Sequence, residues 1–193
     1  MAIFDTEITV LDYESTGTLR GFPNEPWQLG MVSLKNGRVH PDSLFESLLC
    51  VDINRPFNPH APGRHALRRE EIATAPTPQE LWPSVMKRLT RFPLCAHNTA
   101  TEKKFVRAMA PMHRFGPWID TLKTARRALP GCASYALEDL IVLLDLKPKI
   151  EAVCPGREAH DALYDAVAAA VLLEHLLEQP GWEHITVGEL AGL

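Results

Sequence analysis

The stretch Thr9-Val10-Leu11-Asp12-Tyr13-Glu14-Ser15-Thr16-Gly17 decides how this chain is read. Its β-branched and apolar start, extended back to Ile8, predicts a strand. Residues two apart on a strand share a face, so Asp12 and Glu14 point the same way. Two carboxylates aimed at one place repel each other. A divalent cation between them relieves that repulsion, and the alternative is a plain strand end with both acids in water. Ser15-Thr16-Gly17 ends the strand, and its glycine lets another chain approach closely. Asp5 and Glu7 repeat the spacing, but only Met1 to Phe4 precede Asp5 and no glycine turn follows, so both read as a solvated lead-in.

Downstream, Thr18 to Pro26 contains Gly21, Pro23 and Pro26 and reads as a loop whose apolar side chains are Leu19 and Phe22. Trp27 to Leu34 predicts a second strand, Asn36-Gly37 a tight turn and Val39 to Val51 a third strand, giving three antiparallel strands in succession. Asp52 to Pro78 is proline-rich connection with room for a short helix. Thr77-Pro78-Gln79-Glu80 predicts a helix start, with Leu81, Val85, Met86 and Leu89 at helical spacing and Pro93 ending the helix. Leu94 to Ala96 predicts a short strand with His97-Asn98 at its tip, then a helix over Thr101 to Met109. Trp118 to Asp120 predicts a further strand, with Asp120 as the cap of a helix reaching Leu129. A helix over Tyr135 to Leu144 follows, then a loop from Lys147 to Ala159, a long apolar helix from His160 to Leu177, and a short tail after Gly181. Strands first and then alternating strands and helices imply an α/β fold: a mixed five-stranded sheet flanked by helices. Asp12, His97 and Asp120 fall near one sheet edge.

At 193 residues the chain is long enough for one domain, 1–193, with its own core. Hydrophobic residues make up 46% and charged ones 23%, which excludes a disordered chain. Cys50, Cys95, Cys132 and Cys154 form no C-x-x-C pair, a usage that fits a reducing compartment better than a disulfide framework or zinc site. No basic-then-apolar leader is present, and Ala166 to Leu173 is too short to span a bilayer, so a cytoplasmic protein without membrane association is expected. The net charge of −4 conceals a basic middle third, where Ala61 to Pro130 holds 13 Lys or Arg against 5 Asp or Glu. That surface suits the backbone of a polyanion, or is a set of solvated helix faces.

Three segments, taken in order, carry a resemblance. They are Leu11-Asp12-Tyr13-Glu14-Ser15-Thr16-Gly17, the segment Ala96-His97-Asn98-Thr99-Ala100-Thr101-Glu102-Lys103-Lys104-Phe105, and His160-Asp161-Ala162-Leu163-Tyr164-Asp165-Ala166. Together they resemble the DEDDh (DnaQ-like) 3′→5′ exonucleases, the group that includes the proofreading subunit of bacterial replicative polymerase. The His-x4-Asp spacing marks the "h" subgroup. Glu25 to Gly30 and Trp118 to Leu122 add to the likeness, which spans nearly the whole chain. Within the family, Trp118 to Gly131, Ala162 to Asp165 and Gly181-Trp182 are similar to the bacterial exodeoxyribonuclease X subgroup.

The resemblance implies a ribonuclease H-like fold and hydrolysis of phosphodiester bonds at DNA 3′ ends, releasing nucleoside 5′-monophosphates. It implies two Mg²⁺ or Mn²⁺ ions per site, held by Asp12, Glu14, Glu102 and Asp165, with Asp12 bridging, Glu14 and Asp165 on the ion that binds the attacking water, and Glu102 supporting the other through water. His160 is implied as general base, an imidazole being able to take a proton near neutral pH. Family members usually carry Asp where this chain has Glu102, whose extra methylene shifts the oxygens outward by about one carbon–carbon bond. Ser15, Thr16, Gly17, His97 and Asn98 are candidates for holding the terminal nucleotide. Leu19 and Phe22 either stack on its base or pack their own loop. Lys103, with Lys104, Arg64, Arg68 and Arg69, is a candidate backbone contact. RNA trimming of the oligoribonuclease or ribonuclease T kind is the in-class alternative, and a non-catalytic nucleic-acid-binding or polymerase-accessory module is the rival from another class. No partner protein is indicated.

Overall fold

In the computed structural model, which describes residues 1–193, a 3₁₀ turn at Ile3–Asp5 leads into β1, Glu7–Ser15. β2, Pro26–Lys35, and β3, Arg38–Leu48, follow. After a 3₁₀ turn at His65–Leu67 come α1, Arg69–Ala73, and α2, Pro78–Arg91. Then β4, Leu94–Ala96, α3, Ala100–Met109, and β5, Trp118–Asp120, complete the strands. The remainder is helical: α4, Thr121–Ala128; α5, Leu137–Leu143; α6, Lys147–Val153; α7, Ala162–Leu177; and α8, Val187–Ala191. The sheet order is β3-β2-β1-β4-β5, antiparallel across the first three strands, with β4 parallel to β1 and β5 parallel to β4.

The sheet's alternation sorts side chains to two cores. Ile8 and Val10 of β1, with Val32 and Leu34 of β2, pack against α7, whereas Leu11, Tyr13, Leu29 and Met31 pack against α2 and α3. Asp12 and Glu14 have the parity of Ile8 and Val10 and lie on the α7 face. The antiparallel register sets Asp12 opposite Gly30 and Glu14 opposite Gln28. A Cβ on Gly30 would lie 2.2 Å from the backbone of Ala162, so glycine here lets the first turn of α7 press onto the sheet. On this face Ile8 and Val10 of β1 are covered by the body of α7, and the acids emerge where that helix begins.

Of the sixteen residues of α7, fourteen are buried, which explains its apolar character on nearly every side. Its one deeply buried acid, Glu174, is paired with Arg38 at 2.9 Å and Lys149 at 3.0 Å. α2 begins with the expected capping box, Thr77 and Glu80 bonding reciprocally. All four cysteines are free, and no helix is long and apolar enough to cross a membrane.

Several expectations need correction. Lys147 to Ala159 is not all loop: α6 occupies Lys147–Val153, because Pro148 stands in the first turn, where its missing N–H costs nothing, and Ile150 is buried. α7 starts at Ala162 and not at His160. Asp161 is its extended N-cap, accepting from the N–H groups of Leu163 and Tyr164 at 3.1 Å each. β3 stops at Leu48 rather than Val51, and α5 begins at Leu137 rather than Tyr135. The tail is structured: α8 has its own capping box, Ile185, Val187 and Leu190 are buried, and Ile3 and Val187 bond backbone to backbone with Ile185 and Met1. Glu7 is the first residue of β1, accepting from the Ser33 hydroxyl at 2.8 Å and facing Lys35 at 3.6 Å, so only Asp5 is a solvated lead-in.

Candidate active site

Four carboxylates from three elements converge. Asp12 and Glu14 come from β1, Glu102 from the first turn of α3 and Asp165 from the first turn of α7. Oxygens of Glu14 and Asp165 and a ring nitrogen of His160 all lie within 4.8 Å of one another. Burial, and then the charges of Asp165, Glu102, Glu14 and Asp161, raise Asp12 well above the ordinary carboxylate range. Burial followed by the Asp165 charge pushes Glu14 up to about 8. Asp165 rises to about 7 through burial, partly offset by the His160 N–H it accepts at 3.0 Å, and Glu102 rises to about 7, again chiefly through burial. These acids hold protons more tightly than free carboxylates because negative charge has gathered where water is scarce.

Such a site calls for a cation, and one atom makes the fit specific. Glu102 is 5% exposed, and its Oε2 has no hydrogen-bond partner. A buried carboxylate oxygen without a donor is costly unless something positive reaches it. The donor set is all hard oxygen with one imidazole, which suits Mg²⁺ or Mn²⁺.

His160 stands just before the Asp161 cap with φ at 66°, a left-handed conformation uncommon for a residue other than glycine. Its Nε2 lies 3.1 Å from Oε1 of Glu138 on α5, and its side chain is 46% exposed. Glu138 is a site residue that no motif spacing revealed, because α5 reaches the site only through tertiary packing. Gln28, Arg157 and Glu46 form a second group missing from the sequence-derived set. Gln28 donates Nε2 to Glu46 at 2.8 Å and to Asp161 at 3.2 Å, and its Oε1 accepts the Ala162 N–H at 3.2 Å. Arg157 grips Asp161 at 2.8 and 2.9 Å and Glu46 at 2.5 Å. This network ties the His160 loop to β2 and β3.

The other candidate residues divide. His97 lines a cavity of about 190 Å³ with Asp12, Leu137, Glu138, His160 and Asp165. Both its ring nitrogens are engaged at 2.9 Å, with the Thr121 hydroxyl and the Tyr135 carbonyl, and burial lowers its pKa, so it is a neutral hinge pin at the sheet edge. Asn98 is exposed, and its N–H bonds to Asp120 at 3.0 Å. Asp120 also accepts from Thr99 at 3.2 Å and Leu122 at 3.1 Å, a capping role that leaves it outside the acid cluster. Ser15 follows a bulge between Glu14 and Ser15.

Thr16 is fully buried. Its hydroxyl accepts from Arg55 and from the Glu25 N–H, each at 3.1 Å, so it braces the loop and is not free for a nucleotide. At Gly17 (φ 72°) a Cβ would meet that of Asn58 at 2.7 Å, so the chain admitted by this glycine is the protein's own 58–61 segment. Leu19 and Phe22 pair across a turn, and Phe22 is 44% exposed with the Arg55 guanidinium 5.4 Å from its ring centre.

Arg64 and Arg68 line a cavity of about 190 Å³ with Trp27, Gln28, Arg157 and His160, though Arg64 is paired with Glu158 and Arg68 with Glu71. Arg69 is withdrawn from the surface set, since it lies 4.0 Å over Phe57 and donates to the carbonyls of Ile53 at 2.6 Å and Arg55 at 2.7 Å. Lys103 and Lys104 are exposed, and the Lys103 ammonium sits 5.8 Å from the Trp118 ring, at the entry end of β5.

A family model for exonucleases, RNase_T, matches residues 3–173. Exodeoxyribonuclease 10 of Escherichia coli (strain K12) is 26% identical over 186 residues, 96% of this chain and 75% of that protein. The solved structure of exonuclease X in complex with 5′ overhanging duplex DNA aligns with a TM-score of 0.69 at 27% identity, over 96% of this chain and 98% of that one. The nuclease domain of 3′hExo, described as a DEDDh family member bound to rAMP, gives a TM-score of 0.69 with the same coverage of both chains at 18% identity, a likeness of fold. With a ribonuclease H-like sheet and an exonuclease model covering most of its length, the chain belongs to the RNase_T exonuclease family, as a DEDDh, DnaQ-like 3′→5′ exonuclease.

Proposed function

We propose that this exonuclease acts on DNA, removing nucleoside 5′-monophosphates from 3′ ends with two Mg²⁺ or Mn²⁺ ions and His160 as general base. The observation that carries the reading is the convergence of Asp12, Glu14, Glu102 and Asp165, each held above the usual carboxylate pKa, with an unpartnered oxygen on Glu102. Asp12, Glu14 and Asp165 would hold the ions directly, with Glu102 closing the set. Bound there, the ions supply Lewis acidity at the phosphate and lower the pKa of water.

The protein's own groups do the rest. Asp12 and Glu14 are aimed by strand parity, and Asp165 is aimed by α7 through the Gly30 contact. His160 takes the proton of the attacking water as its oxygen bonds to phosphorus, the P–O3′ bond breaks, and the departing 3′-oxygen of the shortened strand takes up a proton from solvent to become a hydroxyl. Its half-exposed ring then releases that proton to solvent. Glu138 holds the ring by Nε2. Half-buried Leu19 and exposed Phe22 and Asn98 would meet the terminal nucleotide, while Lys103 offers a phosphate contact from α3. Preference for DNA is supported by the likeness to exodeoxyribonuclease 10 and to exonuclease X in its DNA complex. The same chemistry proceeds on RNA if the site tolerates a 2′-hydroxyl.

Matched 5′-labelled DNA and RNA strands, incubated with Mg²⁺, Mn²⁺ or chelator, test the proposal. Faster metal-dependent shortening of DNA is expected. A strict RNA preference would move the substrate to RNA, and binding of both strands without shortening of either would make the chain an accessory module.

A further inference from the structure

We propose that the outer face of α3 and the aromatic cluster beyond its C-terminus form a second binding surface, which holds single-stranded polynucleotide upstream of the nucleotide being removed. This rests on the exonuclease reading, and it extends the phosphate contact at Lys103 to residues that the reading does not use.

The face is basic by composition. Between Leu81 and Ile119 the only acidic residue is Glu102, and its side chain is buried toward the catalytic acids. On α3 the buried residues are Glu102, Phe105, Val106 and Met109, which places Lys103, Lys104 and Arg107 on the opposite, exposed side. Elsewhere, Arg38, Arg55, Arg64, Arg68, Lys149 and Arg157 each have an acidic partner, whereas Lys103, Lys104, Arg107 and Arg114 form no ion pair. These four cations, free of ion pairs, lie together along α3 and just past its C-terminus.

The face leads from the active site to a place where bases can stack. α3 starts beside Asp120 at the sheet edge, and its ten residues extend about 15 Å. At its far end Trp82, His113 and Phe115 form an aromatic cluster. The Trp82 and His113 rings are 5.0 Å apart, Trp82 and Phe115 are 6.2 Å apart, and His113 and Phe115 stack at 6.1 Å with planes 28° apart. A shallow cavity of about 280 Å³ adjoins it, lined by Gln79, Trp82, Met109, Pro111, Met112 and His113, with Met112 93% exposed. His113, exposed on a cluster whose Trp82 and Phe115 are half-buried, and the unpaired cations beside it supply the two ingredients of sequence-tolerant strand binding: cations for phosphates and a ring face for bases. At about 3.4 Å per nucleotide, the length of α3 corresponds to about four nucleotides. With its terminal nucleotide in the catalytic site, a four-nucleotide strand has about three left to run along α3 and stops short of the cluster beyond the end of that helix.

The test measures binding in chelator, so that it does not depend on cleavage. Fluorescence anisotropy of 5′-labelled oligothymidylates, four and twelve nucleotides long, is read for the wild type, Arg107→Gln/Arg114→Gln and His113→Ala across a range of salt. For the twelve-mer, the double variant should bind about tenfold more weakly, with a salt slope reduced by about 1.4 for two lost phosphate contacts. His113→Ala should lose about tenfold on the twelve-mer with the slope unchanged. On the four-mer, both variants should stay within twofold of wild type. Unaltered melting temperatures identify these changes as local.

Three results would overturn the proposal: no binding of the twelve-mer by wild type, variants that bind it as wild type does, or equal losses on both lengths. If the double variant instead loses affinity for polyglutamate alone, the face docks an acidic protein and the proposal fails. Absence of metal-dependent cleavage would sink the exonuclease reading separately, while length-dependent binding would still stand.

Discussion

Glu102 is the residue on which the site's chemistry is most exposed to test. Its buried Oε2 lacks a donor, and its carboxyl is pushed up to about 7. Replacing it with Gln removes a charge that the fold does not compensate. Glu102→Gln is expected to raise the melting temperature in chelator by about 2–4 °C, roughly 1 kcal/mol. It should lower the rate of cleavage about 100-fold or more, as expected when a charge-stabilising group is lost. Glu102→Asp, which restores the usual family residue, should keep activity.

The same physics fixes the pH dependence. Folding raises Glu14 to about 8 and Asp165 and Glu102 to about 7, above the free carboxylate value of about 4. Between about pH 4 and 8 the folded chain binds more protons than the unfolded one, so stability in chelator falls as pH rises through that window. Thermal melts at pH 6 and pH 8 check this. Added Mn²⁺ should raise the melting temperature more at pH 8, where the acids are free to receive it.

At the scale of elements, the joint between α7 and the sheet governs where Asp165 sits. Gly30→Ala places a methyl 2.2 Å from the Ala162 backbone, and backbone cannot step aside as a side chain does. A cost of about 1–3 kcal/mol or more is expected, with activity lost beyond what the fraction unfolded explains. Arg157→Gln tests the second tie, between the His160 loop and β3. It should reduce kcat about 10–100-fold with KM little changed, since the base is misplaced while the strand still binds.

The strands, the capping box of α2 and the shared face of Asp12 and Glu14 are all legible in the sequence, because each follows from local periodicity or a local cap. α6 is masked by Pro148, which marks a helix start as readily as a break. Gln28, Glu138 and Arg157 are illegible because their role lies in partners more than a hundred residues away or, for Glu138, in His160 on the loop before α7. Gly17 and Thr16 mislead for a related reason: a glycine that admits close approach does not say which chain approaches, and here it is Asn58.

Across the whole molecule, the two chain ends close on each other. α8 and Ile185 lie against the first residues, with Ile3 and Val187 bonded across the ends. Leu190→Ala should cost about 2–5 kcal/mol, and hydrogen exchange should show the Ile3 amide losing protection along with α8. The active site lies at the other end of β1, so cleavage measured below the melting temperature should be nearly unaffected. The basic face of α3 and the acid cluster also belong to this scale. Glu102 contributes to the acid cluster while its neighbours Lys103 and Lys104 lie on the basic face, so one helix separates the two kinds of charge.

The measurement that bears most directly on the account is release of label from a 3′-terminally labelled single DNA strand by wild type and by Asp12→Ala at the same Mn²⁺ concentration. The expected result is labelled nucleoside 5′-monophosphate from the wild type, none in chelator, and a loss of at least 100-fold in a folded Asp12→Ala protein. Equal release by the two proteins, or release that persists in chelator, would contradict it.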